Sequence, residues 1–584
     1  MSVNLNEPLA CNKSRPVGAR IRGWRRGVVA VAQEWPKWSI GLLATLIVGW
    51  LVLYPIGVIF DIGLHDPQGN WTLAYYLRVV TEPGLLSALV NSLIVSGAVT
   101  AICAVLALPM AWAVTRTNMP GGQVFRALTM VAFVVPNFIA AVAWILMLGP
   151  NAGMLNVLLR DTIGLPFSFN IYSVQGLIVI LSASLYPLVF FAVGAALENM
   201  DPSYEEAAQM SGISAWRGSI QIGLPLVMPA LLSSLVLVFL DAMGAFGAAA
   251  AVANGGRFHT LTTKIYQLFS YPPQFELAAA AVTPIILFTA LGLLIQRSLL
   301  GNKRYTLIGG KSSRQYRIAL GKGRWLLFGW CSLVVGLSVI VPAFVLLRTS
   351  FLLQWSGAFT WSNLTLDNYL ILFDSSSYVP QAIANSFLVA GVTASVAVLL
   401  AIVVVWLVER SQLPGRGLLV FISTLTFAFP GLALAVGFVI GYSDFSLPLY
   451  GTLWLFFLAF IAQRFPFAFV FLRSAVKQLA QELEEAARMS GAGWLRTLTA
   501  IGVPLIKSGV LAAWLMTFAV ALRELSIAIL LYVPGTETLP VAIFMSMDDG
   551  RFPVAAALSV VLVLMSLLAL TVLKRLAARQ TARQ

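Results

Sequence analysis

Glu205-Glu206-Ala207-Ala208-Gln209-Met210-Ser211-Gly212 returns as Glu484-Glu485-Ala486-Ala487-Arg488-Met489-Ser490-Gly491, with a single change at an offset of 279 residues. The same offset pairs Ile222-Gly223-Leu224-Pro225 with Ile501-Gly502-Val503-Pro504 and, upstream, Tyr186-Pro187 with Phe465-Pro466. Nearer the start of each copy the offset is 294: Asn91-Ser92 pairs with Asn385-Ser386, Arg116 and Pro120-Gly121 with Arg410 and Pro414-Gly415, and Pro136 with Pro430. A register kept this long marks two copies of one unit. The difference of fifteen residues falls between the third and fourth helices, where segment 150–172 is long and its counterpart near 443–449 is short. Loops absorb such insertions.

Working outward from the repeat, the surrounding chain is too apolar for a soluble domain. Hydrophobic residues make up 59% of the 584 and charged residues 10%, against roughly 45–50% and 25% in soluble proteins. Runs of 18 or more nearly uncharged residues are long enough to cross a hydrocarbon core as helices. We read twelve spans, near 39–60, 86–115, 124–149, 173–197, 226–252 and 275–297, then 325–347, 381–408, 417–442, 450–473, 507–532 and 553–574. The fold class is therefore an all-α integral membrane protein of two parallel six-helix repeats. Its parts are a basic leader (1–38), a first repeat (39–297), a polar linker (298–324), a second repeat (325–574) and a tail (575–584). The repeated loops occupy 198–225 and 477–504. Lys and Arg gather in the leader, the linker and the tail, a positive-inside pattern that places both termini and both loops in the cytoplasm. The first apolar run is long and lacks a small-residue cleavage site, so it reads as a span and not a signal peptide. Outer loops are short except for the stretches 61–85, 150–172, 253–274 and 348–380, which leave little room for an extracellular domain, so a dedicated solute receptor must be another protein.

Composition also excludes several chemistries. A net charge of +14 would suit nucleic acid only if the basic residues shared one accessible face, whereas here they flank spans. Cys11, Cys103 and Cys331 lie far apart, and His65 and His259 have no ligand cluster, so no metal site is read. Gly310-Lys311-Ser312 lacks the first glycine of a phosphate loop, since Tyr305 stands there, and no strand precedes it. The chain has no ATPase motif and no catalytic residue is assigned.

Within each loop the reading is two short helices about a glycine. Asp201-Pro202 is a helix start, Ser203 with Glu206 has the form of a capping box, and Gly212 and Gly491 supply a turn at positive φ. The alanine pairs Ala207-Ala208 and Ala486-Ala487 offer a slim surface to another polypeptide, and Pro225 and Pro504 end the loop where helix five begins.

Glu-Ala-Ala, three residues, Gly, nine residues, Ile-x-Leu-Pro resembles the permease signature of type I ABC importers. Glu206, Ala207, Ala208, Gly212, Ile222, Leu224 and Pro225 fit it, as do Glu485, Ala486, Ala487, Gly491, Ile501 and Pro504, with Val503 replacing leucine. Glu205 and Glu484 precede the two motifs. The resemblance implies a coupling helix in each loop and two copies of a cytoplasmic ABC ATPase that carry ATP and Mg. It further implies a periplasmic solute-binding protein, a bacterial inner-membrane location and no cofactor on this chain. The fused double form, with Arg523-Glu524-Leu525 and Lys264-Ile265-Tyr266, resembles bacterial ferric-iron uptake permeases; thiamine, phosphonate and polyamine permeases are related alternatives. A secondary transporter with parallel six-helix repeats is the rival class. His65-Asp66 and Tyr75-Tyr76 are too sparse for a ferric site. Four ionisable residues inside spans, Asp241, Arg464, Arg523 and Glu524, are candidates for the translocation pathway or the interface between the halves, with a structural polar lock as the alternative, because a charge at mid-span costs about 2.5–3.5 kcal/mol.

Overall fold

The computed structural model describes residues 17–165, 167–201, 203, 210–301, 317–356, 360–411, 415–443 and 448–581. Regular structure among them is helical, with isolated bridges such as His65 to Trp71 in place of sheets. The first repeat holds α1 (Val17–Leu64), α2 (Pro83–Arg116), α3 (Gly122–Val134 with Asn137–Leu148), α4 (Val174–Asn199), α5 (Ser219–Gly244) and α6 (Phe275–Gly301). The second holds α7 (Gly323–Ser350), α8 (Val379–Arg410), α9 (Arg416–Ala428 with Gly431–Ser443), α10 (Leu453–Lys477), α11 (Trp494–Leu505 with Lys507–Leu522) and α12 (Phe552–Thr581). Among the described residues nine helices are long and apolar enough to cross a membrane singly, and three bent pairs bring the number to twelve.

Two of the expected spans are bent and two others end early. The segments read as 124–149 and 417–442 bend by 100° and 104°, at Val135-Pro136 and Phe429-Pro430. Proline has no N–H to donate and drives the residue before it out of the helical region, and Val135 and Phe429 are both extended. The span read as 507–532 stops at Leu522, and that read as 226–252 stops at Gly244 before a second helix, Gly247–Gly256. Pro225 and Pro504 do not open helix five. The helical run begins earlier, at Ala215 and Trp494, and a π-turn, Ser219–Gly223 or Leu498–Gly502, precedes each proline. The wider turn accommodates the missing donor.

The repeated Asn-Ser pairs find their purpose at the opposite ends of α2 and α8. Ser92 Oγ accepts from the Leu261 N–H at 2.7 Å and Asn91 Nδ2 donates to the His259 carbonyl at 3.0 Å. Ser386 and Asn385 repeat this on Leu539 and on the Gly535 and Glu537 carbonyls. Each pair holds a short helix, Leu261–Leu268 or Leu539–Asp548, against the bundle. All of the first lies in the segment 253–274 expected to be an outer loop, and its Leu261, Thr262, Thr263 and Ile265 are buried.

The first span of each repeat leans on the other repeat. Trp50 Nε1 donates to Tyr442 Oη at 2.9 Å and Tyr54 Oη to the Gly441 carbonyl at 2.7 Å, which seats α1 on α9. Likewise α7 meets the first repeat, where Ser338 Oγ lies 3.2 Å from Tyr186 Oη. The halves are thus interlocked.

Gly437 permits the α1–α9 contact, for a Cβ there would lie 2.4 Å from the Pro55 carbonyl oxygen, whereas one at Gly391 in α8 meets nothing within 4 Å. Gly437→Ala should cost about 1–3 kcal/mol through overpacking. Gly391→Ala should be neutral or stabilising by up to about 1 kcal/mol, since alanine suits a helix better. Thermal unfolding of the detergent-purified protein checks both.

Candidate functional site

Both repeated loops lie at one end of the bundle. The strand-like segment leading into α7 pairs with the end of α2: Ile318 N–H donates to the Arg116 carbonyl at 2.8 Å and Asn118 N–H to the Ile318 carbonyl at 3.1 Å. Ala44 and Val48, early in the Ser39–Leu64 span of α1, pack in one cluster with Trp494 and Leu498 of the second loop. The starts of α1 and α7 are six crossings apart and so share an end, and one loop sits beside each.

In the second loop Glu482–Met489 is a helix closed by Gly491 at φ +84°, with Ala492 N–H donating back to the Ala487 carbonyl at 3.0 Å. This is the glycine-terminated end in which a positive-φ residue turns the chain out of the helix. Gly212 has the same conformation at φ +78°. Asp201 Oδ1 accepts from the Ser203 N–H at 2.9 Å, and that bond, with the Ser203 hydroxyl and the charge of Arg116, holds the Asp201 carboxyl below its usual range. Glu205, Glu206, Ala207 and Ala208 fall outside the described residues, as does the capping box through Glu206.

The alanine pair does not form one outward face. Ala487 is buried while Ala486 and Glu485 are exposed, since adjacent helical residues point about 100° apart. What projects instead is methionine: Met210 is 91% exposed and Met489, its equivalent, 90%. Two large apolar side chains held out at matching places read as contact points for a partner.

A second arrangement lies where the halves meet. Arg464 of α10 forms an ion pair with Glu524, both nearly buried. The other Glu524 oxygen accepts from the Ser526 N–H at 2.8 Å and the Ile527 N–H at 3.3 Å. Arg523 and Glu524 were read as mid-helix residues; they lie just past the end of α11, in the irregular backbone before Ala528–Leu531. From there Arg523 Nη1 donates across the interface to the Phe133 and Val134 carbonyls at 3.1 and 2.7 Å. Those carbonyls end the first arm of α3, where the proline break leaves acceptors without helical partners. Gly244, at the place in α5 matching Arg523, packs against Pro430 at the α9 break. Asp241 is within electrostatic reach of Arg464 and Arg523, and makes no ion pair among the described residues. The Asp241 side chain itself is exposed. The four ionisable residues singled out in the sequence are therefore brought together, with Asp241 from one half opposite three from the other.

Elsewhere the structure assigns the sparse polar groups to local tasks. Asp66 Oδ1 accepts from the Gln68 and Asn70 N–H groups and shapes a turn. Cys103 and Cys331 are buried and unlinked, and Cys11 lies outside the described residues. Among the described residues no His, Cys, Asp and Glu side chains gather into a group able to hold a metal ion.

Arg410 and Arg116, matched in the repeat, were given no role in the sequence. Arg410 Nη2 donates to the Val476 and Leu479 carbonyls at 2.8 and 2.7 Å, and its Nε lies 2.8 Å from Glu484 Oε1. Arg116 Nη2 donates to the Met200 carbonyl at 2.8 Å. The available signal was an arginine at the end of an apolar run in both copies.

Two interlocked six-helix repeats with matched loops at one end and a charged seam between them define a membrane transport permease. The chain belongs to the family described as the binding-protein-dependent transport system inner membrane component, whose model matches residues 70–304 and 410–582. It is 25% identical over 546 residues to the ferric transport system permease protein FbpB of Actinobacillus pleuropneumoniae, covering 90% of this chain and 76% of that one. It is also 25% identical over 509 residues to the Fe(3+)-transport system permease protein FbpB 2 of Haemophilus influenzae, covering 86% and 92%. The sulfate transport system permease protein CysT of Escherichia coli is 27% identical over 274 residues, 46% of this chain and 94% of that one. Among solved structures, a bacterial ABC transporter that imports the acidic polysaccharide alginate matches with a TM-score of 0.39 and 18% identity, covering 47% of this chain and 98% of that one.

Breaking the buried Arg464–Glu524 pair from one side should be more damaging than removing it whole. Arg464→Leu leaves a buried carboxylate without its partner and should cost about 3–5 kcal/mol, whereas Arg464→Leu with Glu524→Gln should recover much of that loss. Thermal unfolding of the three proteins in detergent measures the difference.

Proposed function

We propose that this chain is the permease subunit of an ATP-driven importer, carrying ferric iron from a periplasmic binding protein across the bacterial inner membrane into the cytoplasm. Both termini and both repeated loops face the cytoplasm, where two copies of an ABC ATPase bind the loops and hydrolyse MgATP. The observation that carries the reading is the pair of matched loops at one end of the bundle, each presenting an exposed methionine beside a positive-φ glycine. Two equivalent docking points suit two copies of one engine. The extended likeness to permeases named for ferric transport supports iron as the solute.

In this reading closure of the ATPase pair draws the two loops together, and the halves rock about their seam. Contacts across that seam must part and re-form as a space beside Asp241 opens: Arg523 on the Phe133 and Val134 carbonyls, and Gly244 against Pro430. One carboxylate lining a passage suits transit of a hard cation more than capture, which takes several oxygen ligands. Capture belongs to the binding protein.

Replacing Gly212 and Gly491 together by Val should abolish uptake while leaving the protein in the membrane. A β-branched residue at positive φ is strained, so the turn that presents the loop is lost. Met210→Asp with Met489→Asp should strip the ATPase from the purified complex. Iron uptake into proteoliposomes tests the rival class: our reading requires the ATPase and ATP, and uptake driven by an ion gradient alone would make the chain a secondary transporter.

A further inference from the structure

Glu484 and Glu485 are neighbours in the second loop, yet they face opposite ways. Glu484 is 5% exposed and lies against Arg410, itself nearly buried, while Glu485 is exposed. Arg410 is the last residue of α8, and its guanidinium donates to the Val476 and Leu479 carbonyls and is ion-paired with the Glu484 carboxylate, all on the stretch from α10 into the loop. The residue before it, Glu409, binds Arg473 of α10 at 2.5 Å. The end of α8 is thereby tied both to the last turns of α10 and to the first turn of the loop helix.

The first repeat contains one of these bonds. Met200 stands 279 residues before Leu479 and Arg116 stands 294 before Arg410, and Arg116 Nη2 donates to the Met200 carbonyl at 2.8 Å. Fifteen residues separate the two registers, so the contact survives an insertion lying between its partners. Chain proximity does not explain it; the geometry of the loop base does. An arginine fork, planar and fixed in charge, can hold two carbonyls and a carboxylate at once, which a lysine ammonium on a flexible stem does less well.

We propose that Arg410 is a positioning residue through which force on the second loop enters the transmembrane bundle. Glu484 is its inward anchor, and Glu485 is left free for the partner. The proposal rests on the reading of the loops as ATPase docking sites. A loop attached only by its two ends could be displaced by the ATPase without moving α8; the arginine makes the loop helix, α10 and α8 move together.

The test uses the full permease co-purified with its ATPase subunits in proteoliposomes, with ferric iron supplied on the binding protein. Iron uptake, ATP hydrolysis and retained ATPase are measured on each sample. Arg410→Gln and Glu484→Gln should keep the ATPase bound and hydrolysing while iron moved per ATP falls about tenfold or more, and Arg410→Lys should fall between them and the unaltered protein. Wild-type iron per ATP in Arg410→Gln would overturn the proposal, as would loss of ATPase in proportion to uptake, which would make Arg410 a shaper of the docking face only. Should Arg410→Gln fail to insert, Arg410→Lys and Glu484→Gln decide by the same ratio. Met210→Asp with Met489→Asp separates the two ideas: retained ATPase and uptake there would sink the docking reading itself, whatever the arginine variants do.

Discussion

Six crossings separate the two copies of the repeated loop, and an even number of crossings returns a chain to the side it left. A backbone in hydrocarbon must satisfy its own hydrogen bonds, so it crosses as helix, broken only where surrounding protein takes up the freed groups. With twelve crossings divided equally, both copies of the loop must come out at one face. The proposed docking points, shared engine and rocking of two halves about a seam all depend on this parity. Had either repeat held an odd number of spans, the same two sequences would face different compartments.

Interlocking turns parity into mechanics. Because α1 is seated on α9 and α7 on the first repeat, neither half can tilt without moving a span of the other. The seam between them is built from polar pieces that need partners. Proline breaks in α3 and α9 free backbone acceptors, and on one side an arginine satisfies them while on the other a glycine lets a proline close in. The repeats are alike in backbone but not in seam chemistry. The net result is a closed contact made of few, specific bonds.

Much of this was legible in the chain. Apolar runs of sufficient length announced the spans, and the repeat set their order. The prolines at 136 and 430 were recognised as matched yet not as breaks, because an apolar run reads alike whether straight or bent; only the two extended residues before the prolines reveal the 100° and 104° turns. The glycines at 212 and 491 were read correctly because a positive φ is a local demand. Glu484 with Arg410, and Arg464 with Glu524, join residues 74 and 60 positions apart, and no local pattern records such pairings. Arg523 and Glu524 were misplaced on a helix because apolar neighbours continued the run past its true end at Leu522. Loop-end methionines were visible in the repeat, but whether an apolar side chain points in or out follows from packing that a sequence does not display.

Accessibility of the loop methionines to a membrane-impermeant thiol reagent tests the central claim most directly. Cys103 and Cys331 are buried, so with Cys11 changed to serine, Met210→Cys and Met489→Cys would carry the accessible thiols. Both should label in inside-out vesicles, stay unlabelled in right-side-out vesicles, and become protected when the ATPase subunits are added. Labelling of either from the outer side, or no protection by the ATPase, would contradict the account.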